Sequence, residues 1–189
     1  MKNLSSDDPR SFTAQAKAHC AYWNGGYHDS KLLLDVHGSW LFFPFHRWYM
    51  YFFEKICQNL INDDTFALPF WNWDNPPTMF LPAIFKGSSS PLYGSKRNPT
   101  HLNTVIDMCW EGTDSTDNTM KVIRNNLCRM YRQMDMGSFY SAGRDPVFYS
   151  HHANLDRMWS LWNSLGGQNF TDSDRDSAIV SIVMVTILE

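Results

Sequence analysis

Histidine is the residue type in this sequence best suited to binding a metal ion, and one pair stands at an informative spacing. In the stretch HGSWLFFPFHRWYMYFFE, His37 precedes His46 by nine residues, with Pro44 between them. Proline favours the first turn of a helix, so His37, in a loop, can fold back towards His46 on that turn. Neutral imidazoles without neighbouring cysteine or carboxylate ligands suit copper, zinc or iron.

A second stretch, DPVFYSHHANLDRMWSLW, contains the adjacent pair His151 and His152. Asp145 and Pro146 predict a helix start, with an N-cap carboxylate and a proline at the first helical position. His152 shares the apolar face of this helix, and His151 lies about 100° away from it. A single histidine on such a face is more often a hydrogen-bonded core residue than a ligand. Taken together, the two stretches favour copper. The apolar face also includes Phe148, Leu155, Trp159 and Trp162.

The elements that would position these histidines are mainly helices. Residues 11–23 are expected to form a short helix carrying His19, and about 117–134 another. Pro44 is expected to open a longer helix. Turn signals make 68–97 irregular, so the sequence predicts a mainly α fold with long irregular loops. One face of the longer helix has apolar or metal-binding residues at spacings of three and four, namely His46, Met50, Phe53 and Cys57.

Composition limits the classes of partner. A chain of 189 residues predicts one domain. The net charge of −3, without a basic block, argues against nucleic acid or an anionic membrane as the main partner. The apolar residues 178–189 are too few to cross a bilayer, which takes about 20 residues, and they are typical of a strand. The polar start MKNLSSDDPR has no transit or signal peptide pattern.

The four cysteines leave the redox compartment open, because none of them forms a CxxC pair. They could form two disulfides in any of three pairings, or none. They are Cys20, Cys57, Cys109 and Cys128.

Stretches spread along most of the chain, from Asp7 to about Asp172, carry a resemblance to a known family. They include DDPRSF, AHCAY, HGSWLFFPFHRWYMYFFEKI, FALPFWNWDNPP, LCRMYRQM and DMGSFYSAGRDPVFYSHHANLDRMWSLWNSLGG. These stretches are similar to those of the plant polyphenol oxidases (catechol oxidases), within the tyrosinase and hemocyanin group of dicopper proteins.

The resemblance implies a four-helix bundle with two copper ions, each bound by three histidines. The implied ligands of the first copper are His19, His37 and His46. His152 would be a ligand of the second copper, and Phe139 would be the aromatic gate above the pair. The implied reaction oxidises phenolic small molecules of the catechol type to o-quinones with O2. Family members usually reside in plastids, in the thylakoid lumen.

The sequence departs from the family between Met134 and Asp135. Family members have several dozen residues there, including a His-x3-His pair that supplies the other two ligands of the second copper. No His-x3-His occurs in this chain. Four ligand positions are therefore matched where two coppers need six, so at most one site is complete. We expect an incomplete tyrosinase-like four-helix bundle in 1–172, followed by a divergent apolar tail in 173–189.

Individual residues also differ from the family. Trp23 replaces the cysteine that usually cross-links to the equivalent of His37. The usual partner of Cys20 lies before the region where this sequence begins, so Cys20 is expected to be a free thiol. On the last helix, Asp156 and Arg157 are expected to form a local ion pair or a cap.

Three functional hypotheses follow. The first is a copper oxidoreductase of the catechol oxidase type by descent. The second is a catalytically inactive remnant with at most one mononuclear copper site, and the third is a fragment that folds only in part. Dioxygen carriage is a weaker alternative, since it needs the same missing ligands. We predict low or no oxidase activity for this chain. An incomplete gene model or a decaying gene copy would explain the departures.

Overall fold

Helices make up most of the regular structure. The computed structural model describes residues 1–23, 36–37, 41–97, 99–108, 119–130, 142–167 and 171. These residues contain four α-helices: α1 (Phe12–Trp23), α2 (Phe42–Ile61), α3 (Thr119–Met130) and α4 (Val147–Ser164). Three short 3-10 helices also occur, at Pro76–Thr78, Ala83–Phe85 and Pro99–Leu102. The described part has no strand and only an isolated bridge between Phe80 and Val105. The predicted mainly helical fold is confirmed.

Helices α2 and α4 pack against each other and form the centre of the fold. Phe43, near the start of α2, stacks on Trp159 near the end of α4, with ring centroids 5.3 Å apart. Phe53, in the second half of α2, stacks on Tyr149 at the start of α4 at 3.6 Å. The two helices are therefore antiparallel.

The starts of α2 and α4 differ slightly from the sequence prediction. Helix α2 begins at Phe42, two residues before Pro44. Pro44 is still in the first turn, where the missing N–H has no helical partner in any case. Helix α4 begins at Val147, whose N–H donates to Asp145 Oδ1 at 2.9 Å. The helix therefore starts one residue later than predicted: Pro146 is at the N-cap position instead of Asp145, and Asp145 accepts a hydrogen bond from the first helical residue, Val147.

Helix α1 follows its prediction closely. Ser11 is buried and its Oγ accepts a hydrogen bond from the N–H of Ala14 at 3.0 Å, which is typical N-cap geometry. The helix then runs to Trp23 and carries His19 on its buried side.

Residues 68–97 are irregular, as expected, yet they contribute some of the most deeply buried side chains. Trp73 is 1% exposed and Met79 is 0% exposed. Both belong to the core cluster that contains Phe42 and Leu155. This segment therefore covers the α2–α4 pair instead of lying on the outside.

Several predictions fall outside the described residues. They concern the Met134–Asp135 junction, Phe139, Cys109 and the tail 173–189. Cys20 and Cys57 are free thiols. Among the described helices, none combines the length and apolarity needed to span a bilayer.

Candidate metal centre

Three histidines from separate parts of the chain meet beside the α2–α4 interface. His19 lies on α1, His46 on the first turns of α2, and His37 in the segment before α2. His19 and His46 are buried and His37 is partly buried. In the described part of the chain, they form the only group of three side chains that could hold a metal ion.

The distances within this histidine triad match a metal site. The Nε2 atoms of His37 and His46 lie 3.2 and 3.4 Å from Nε2 of His19. One ligand nitrogen from each ring lies within 4.8 Å of the others. Nitrogens bound at the usual distance to one tetrahedral ion such as zinc are about 3.3 Å apart. The three residues therefore fit one ion with little movement.

Backbone carbonyls fix the ring orientations of the two helix-borne histidines. His46 Nδ1–H donates to the carbonyl of Phe42 at 2.7 Å, four residues earlier. In the same way, His152 Nδ1–H donates to the carbonyl of Phe148 at 3.1 Å. A neutral imidazole that donates from Nδ1 has an unprotonated Nε2, which is the form that binds a metal.

Burial keeps these imidazoles neutral. Burial, followed by the charge of nearby His37, lowers the pKa of His19 to about 3. The same two causes, in the same order, lower the pKa of His46 well below its ordinary value. Neutral rings crowded around one point leave several lone pairs facing each other. A cation between the three rings would accept one lone pair from each of them.

His152 lies beside the triad but does not belong to it. Its ring stacks on His46 with centroids 4.4 Å apart and an interplanar angle of 25°. Burial, and then the nearby His46, lower the pKa of His152 well below its ordinary value. His152 is therefore the inward-facing member of the adjacent pair, as helical phase predicts. It is positioned next to the triad, with its ring against that of His46.

His151 points elsewhere. Its ring stacks on Trp73 at 5.2 Å with an interplanar angle of 20°. Burial lowers the pKa of His151 to about 3, and its Nε2 atom is buried without a hydrogen-bond partner. His151 does not join His152 in a metal-binding group.

Aromatic rings form a dry wall around the histidines. Phe148 lies 4.6 Å from the ring of His19 and 4.0 Å from that of His152, and Phe42 lies 4.5 Å from that of His46. Such rings exclude water from the site, which strengthens electrostatic interactions inside it.

Gly143 supports His19 from the loop before α4. A Cβ atom at this position would lie 3.3 Å from Cβ of His19 and 3.4 Å from its Cγ. The carbonyl of Gly143 accepts a hydrogen bond from the hydroxyl of Tyr149 at 3.3 Å. That hydroxyl lies 3.1 Å from the hydroxyl of Tyr49, which donates to the carbonyl of Gln15 on α1 at 2.7 Å. This series of hydrogen bonds connects α1, α2 and α4 beneath the triad.

Two ion pairs hold α4 in place. Arg157 donates to both oxygens of Asp74, at 2.7 and 2.8 Å, and fully buried Asn154 donates to Asp74 at 2.7 Å. Asp156 pairs with Arg47 of α2. The predicted local ion pair between Asp156 and Arg157 was wrong, since each residue pairs with a different element.

The structure thus brings His19, His37 and His46 together and sets His152 beside them. Phe139 lies outside the described residues. Sequence reasoning missed Gly143 and Asp74. Both belong to stretches that suggested turns, and no local signal indicates that a turn residue will contact a distant helix.

Comparison with known proteins identifies relatives of this architecture. The family model for the common central domain of tyrosinase matches in two segments, residues 9–127 and 100–165. The chloroplastic polyphenol oxidase II of Ipomoea batatas is 42% identical over 233 aligned positions, which cover 92% of this chain and 40% of the relative. The chloroplastic catechol oxidase B of Solanum tuberosum is 41% identical, with coverage of 93% and 39%.

Comparison with solved structures also finds a relative with the same architecture. The structure of latent apple tyrosinase superposes with a TM-score of 0.82 at 43% identity, covering 92% of this chain and 50% of that one. The chain therefore spans about 40% of the length of the curated relatives it matches and half of this solved structure.

Proposed function

The chain belongs to the tyrosinase family, among its plant polyphenol oxidases, and we propose that its histidine triad is a copper site of the catechol oxidase type. The observation that carries this proposal is the convergence of three Nε2 atoms at distances suited to one metal ion. His19, His37 and His46 would hold the copper. His152 would be a ligand of the second copper in a complete site.

A complete copper pair would supply the redox capacity that couples phenol oxidation to O2 reduction. In the overall reaction, two o-diphenols become two o-quinones, and the four electrons and four protons that they lose convert one O2 into two water molecules. Within this chain, Phe42 and Phe148 would exclude water, and their carbonyls would hold His46 and His152 in the ligating tautomer. Phe139 would be the gate over the substrate entrance. Substrates would be phenols, and the chloroplastic relatives suggest a plastid location, in the thylakoid lumen.

We further propose that only one copper site is complete. The described histidines do not fit a second ion, because His152 has no partner imidazoles beyond the triad it adjoins. The alignment with the Ipomoea enzyme supports a missing internal segment. It spans 233 positions, whereas 92% of 189 residues is about 174, so about 59 positions have no residue of this chain opposite them. The family model also matches in two segments instead of one. The break would lie at Met134–Asp135, within a copper-binding domain of residues 1–172.

Copper content and spectroscopy test this proposal. After loading and dialysis, the purified chain should retain one copper per molecule and show the electron paramagnetic resonance signal of an isolated Cu(II) ion. Oxidation of a catechol should be near background. His46→Ala should abolish retention, while the matched variant His152→Ala should leave the copper content unchanged.

The single-site proposal would be overturned by two coppers per chain, the absence of an electron paramagnetic resonance signal and rapid quinone formation. These results would support the complete enzyme. A chain that retains no copper and keeps its fold would overturn the copper proposal itself. Insertion of a segment carrying His-x3-His at the Met134–Asp135 junction should raise the copper content towards two.

A further inference from the structure

Three aromatic side chains stand exposed on the outer face of α2. Trp48 is 61% exposed, Tyr51 is 48% exposed and Phe52 is 55% exposed. Large apolar side chains scattered singly over a surface are ordinary, but a contiguous group of them marks an interaction site.

These three rings form one continuous surface, the α2 ridge. The ring of Trp48 lies 5.8 Å from that of Phe52, stacked at 26°, and 5.9 Å from that of Tyr51. The rings of Tyr51 and Phe52 are 5.4 Å apart. The Nζ atom of Lys55, one turn along the helix, lies 5.6 Å from the ring centroid of Tyr51.

The α2 ridge lies opposite the face that carries the metal site. At 100° per residue, Trp48 and Phe52 project about 160° and 120° away from His46, which is buried. Helix α2 is therefore apolar on both its inner and its outer face. A contiguous group of exposed rings on the outer face of a helix is suited to being covered.

We propose that the apolar tail of this chain, residues 178–188, docks on the α2 ridge. The tail has the sequence AIVSIVMVTIL and contains no charged residue. It lies outside the described residues, and it is the longest uncharged apolar run of the sequence beyond the described helices. Apolar surface of this kind is unfavourable in water and favours contact with exposed rings.

The connection between α4 and the tail allows this docking. Because α2 and α4 are antiparallel, the end of α4 lies near the start of α2, where Arg47 donates to Ser160 at 2.8 Å. Trp48 is about 9 Å along the axis from the first residue of α2. The intervening residues 165–177 are mostly polar, include two glycines and can extend to about 45 Å. A random chain of 13 residues spans about 20 Å on average.

The linker 165–177 also favours docking of the tail over docking of a second copy of the chain. A short flexible linker gives an effective concentration in the millimolar range, on the order of a thousand times a micromolar protein concentration. A second copy would have to supply a much larger complementary surface, because stable protein interfaces bury about 1,200–2,000 Å². The ridge, with three rings, is closer to the footprint of a single segment.

Limited proteolysis of the full chain with elastase tests the proposal, since elastase cleaves after small aliphatic residues such as those of the tail. The triple variant Trp48→Ser, Tyr51→Ser, Phe52→Ser removes the ridge without touching the metal-binding histidines. If cleavage follows the open form, a tail docked about 90% of the time should be released about ten times more slowly in the wild-type chain than in this variant.

Ile84→Ser is the matched control, because Ile84 is 58% exposed on a 3-10 helix away from the ridge. It should leave the release rate unchanged, and light scattering should give a monomer for all three proteins. Equal release rates in the wild-type chain and the ridge variant would overturn the proposal. So would a wild-type dimer that the ridge variant converts to a monomer, because a second copy would then cover the ridge.

Discussion

At the scale of residues, the candidate metal centre depends on close contacts that hold each imidazole in one orientation. The carbonyls of Phe42 and Phe148 accept hydrogen bonds from Nδ1 of His46 and His152, each four residues further along the helix. The ring of His19 packs against Phe148 and Gly143. The position of His19 is therefore sensitive to the volume of the residue at 143.

We expect Gly143→Ala to weaken metal binding about tenfold, in the range found when groups that orient a ligand are altered. The added Cβ would lie 3.3 Å from Cβ of His19, a contact tighter than usual, and it would displace the ring by a few tenths of an ångström. Isothermal titration with copper in a competing chelator measures the affinity.

Gly87→Ala is the matched control, because its added Cβ would meet nothing closer than 3.9 Å. It should leave the copper affinity unchanged. An unchanged affinity in Gly143→Ala, with the fold intact by circular dichroism, would show that His19 tolerates the contact.

At the scale of elements, α4 is fixed on two sides, and this determines where its histidines point. Arg47 of α2 pairs with Asp156, and Asp74 in the irregular segment 68–97 pairs with Arg157. The N–H of Trp71 also donates to the carbonyl of Ser150 at 2.9 Å. These contacts hold α4 in the rotation that turns His152 inwards.

Asp74→Ala should lower the free energy of unfolding by about 2–3 kcal/mol, since Arg157 and Asn154 lose charge-assisted hydrogen bonds. The pair keeps some solvent contact, so the loss should be smaller than for a fully buried ion pair. Urea denaturation measures the change.

Asp8→Ala is the control for removing a carboxylate. The partner of Asp8 is Arg10, two residues away on the surface, so this pair joins no separate elements. Asp8→Ala should change the free energy of unfolding much less than Asp74→Ala does. Equal effects of the two variants would show that the contact of Asp74 with α4 adds no stability.

The helices could be predicted from the sequence because their apolar spacing and their start signals are local. The periodicity of α4 identified His152 as the inward-facing histidine, and the predicted helix starts at residue 11, Pro44 and Asp145–Pro146 lie within two residues of the observed ones. The convergence of His19 with the other two histidines was inferred from family resemblance, since contacts between distant elements leave no local pattern. For the same reason, the burial of Trp73 in an irregular segment was not predicted.

At the scale of the whole molecule, the part of the chain that the structure describes has four buried imidazoles: His19, His46, His151 and His152. Burial lowers the pKa of each one, to about 3 for His19 and His151, from an ordinary value of 6.5. Between these values, the unfolded chain binds protons that the folded chain does not bind. The free energy of unfolding of the metal-free protein therefore falls as the pH decreases from about 6.5 towards 3.

This pH dependence can be measured by urea denaturation of the metal-free chain between pH 7.5 and pH 5, in the presence of a chelator. Each histidine whose pKa is lowered contributes a slope of up to about 1.4 kcal/mol per pH unit. His151→Phe should keep the stacking on Trp73 and remove one such contribution, so its slope should be shallower by that amount. A slope identical to that of the wild-type chain would mean that His151 titrates normally. Its ring would then have access to water and would not be buried against Trp73.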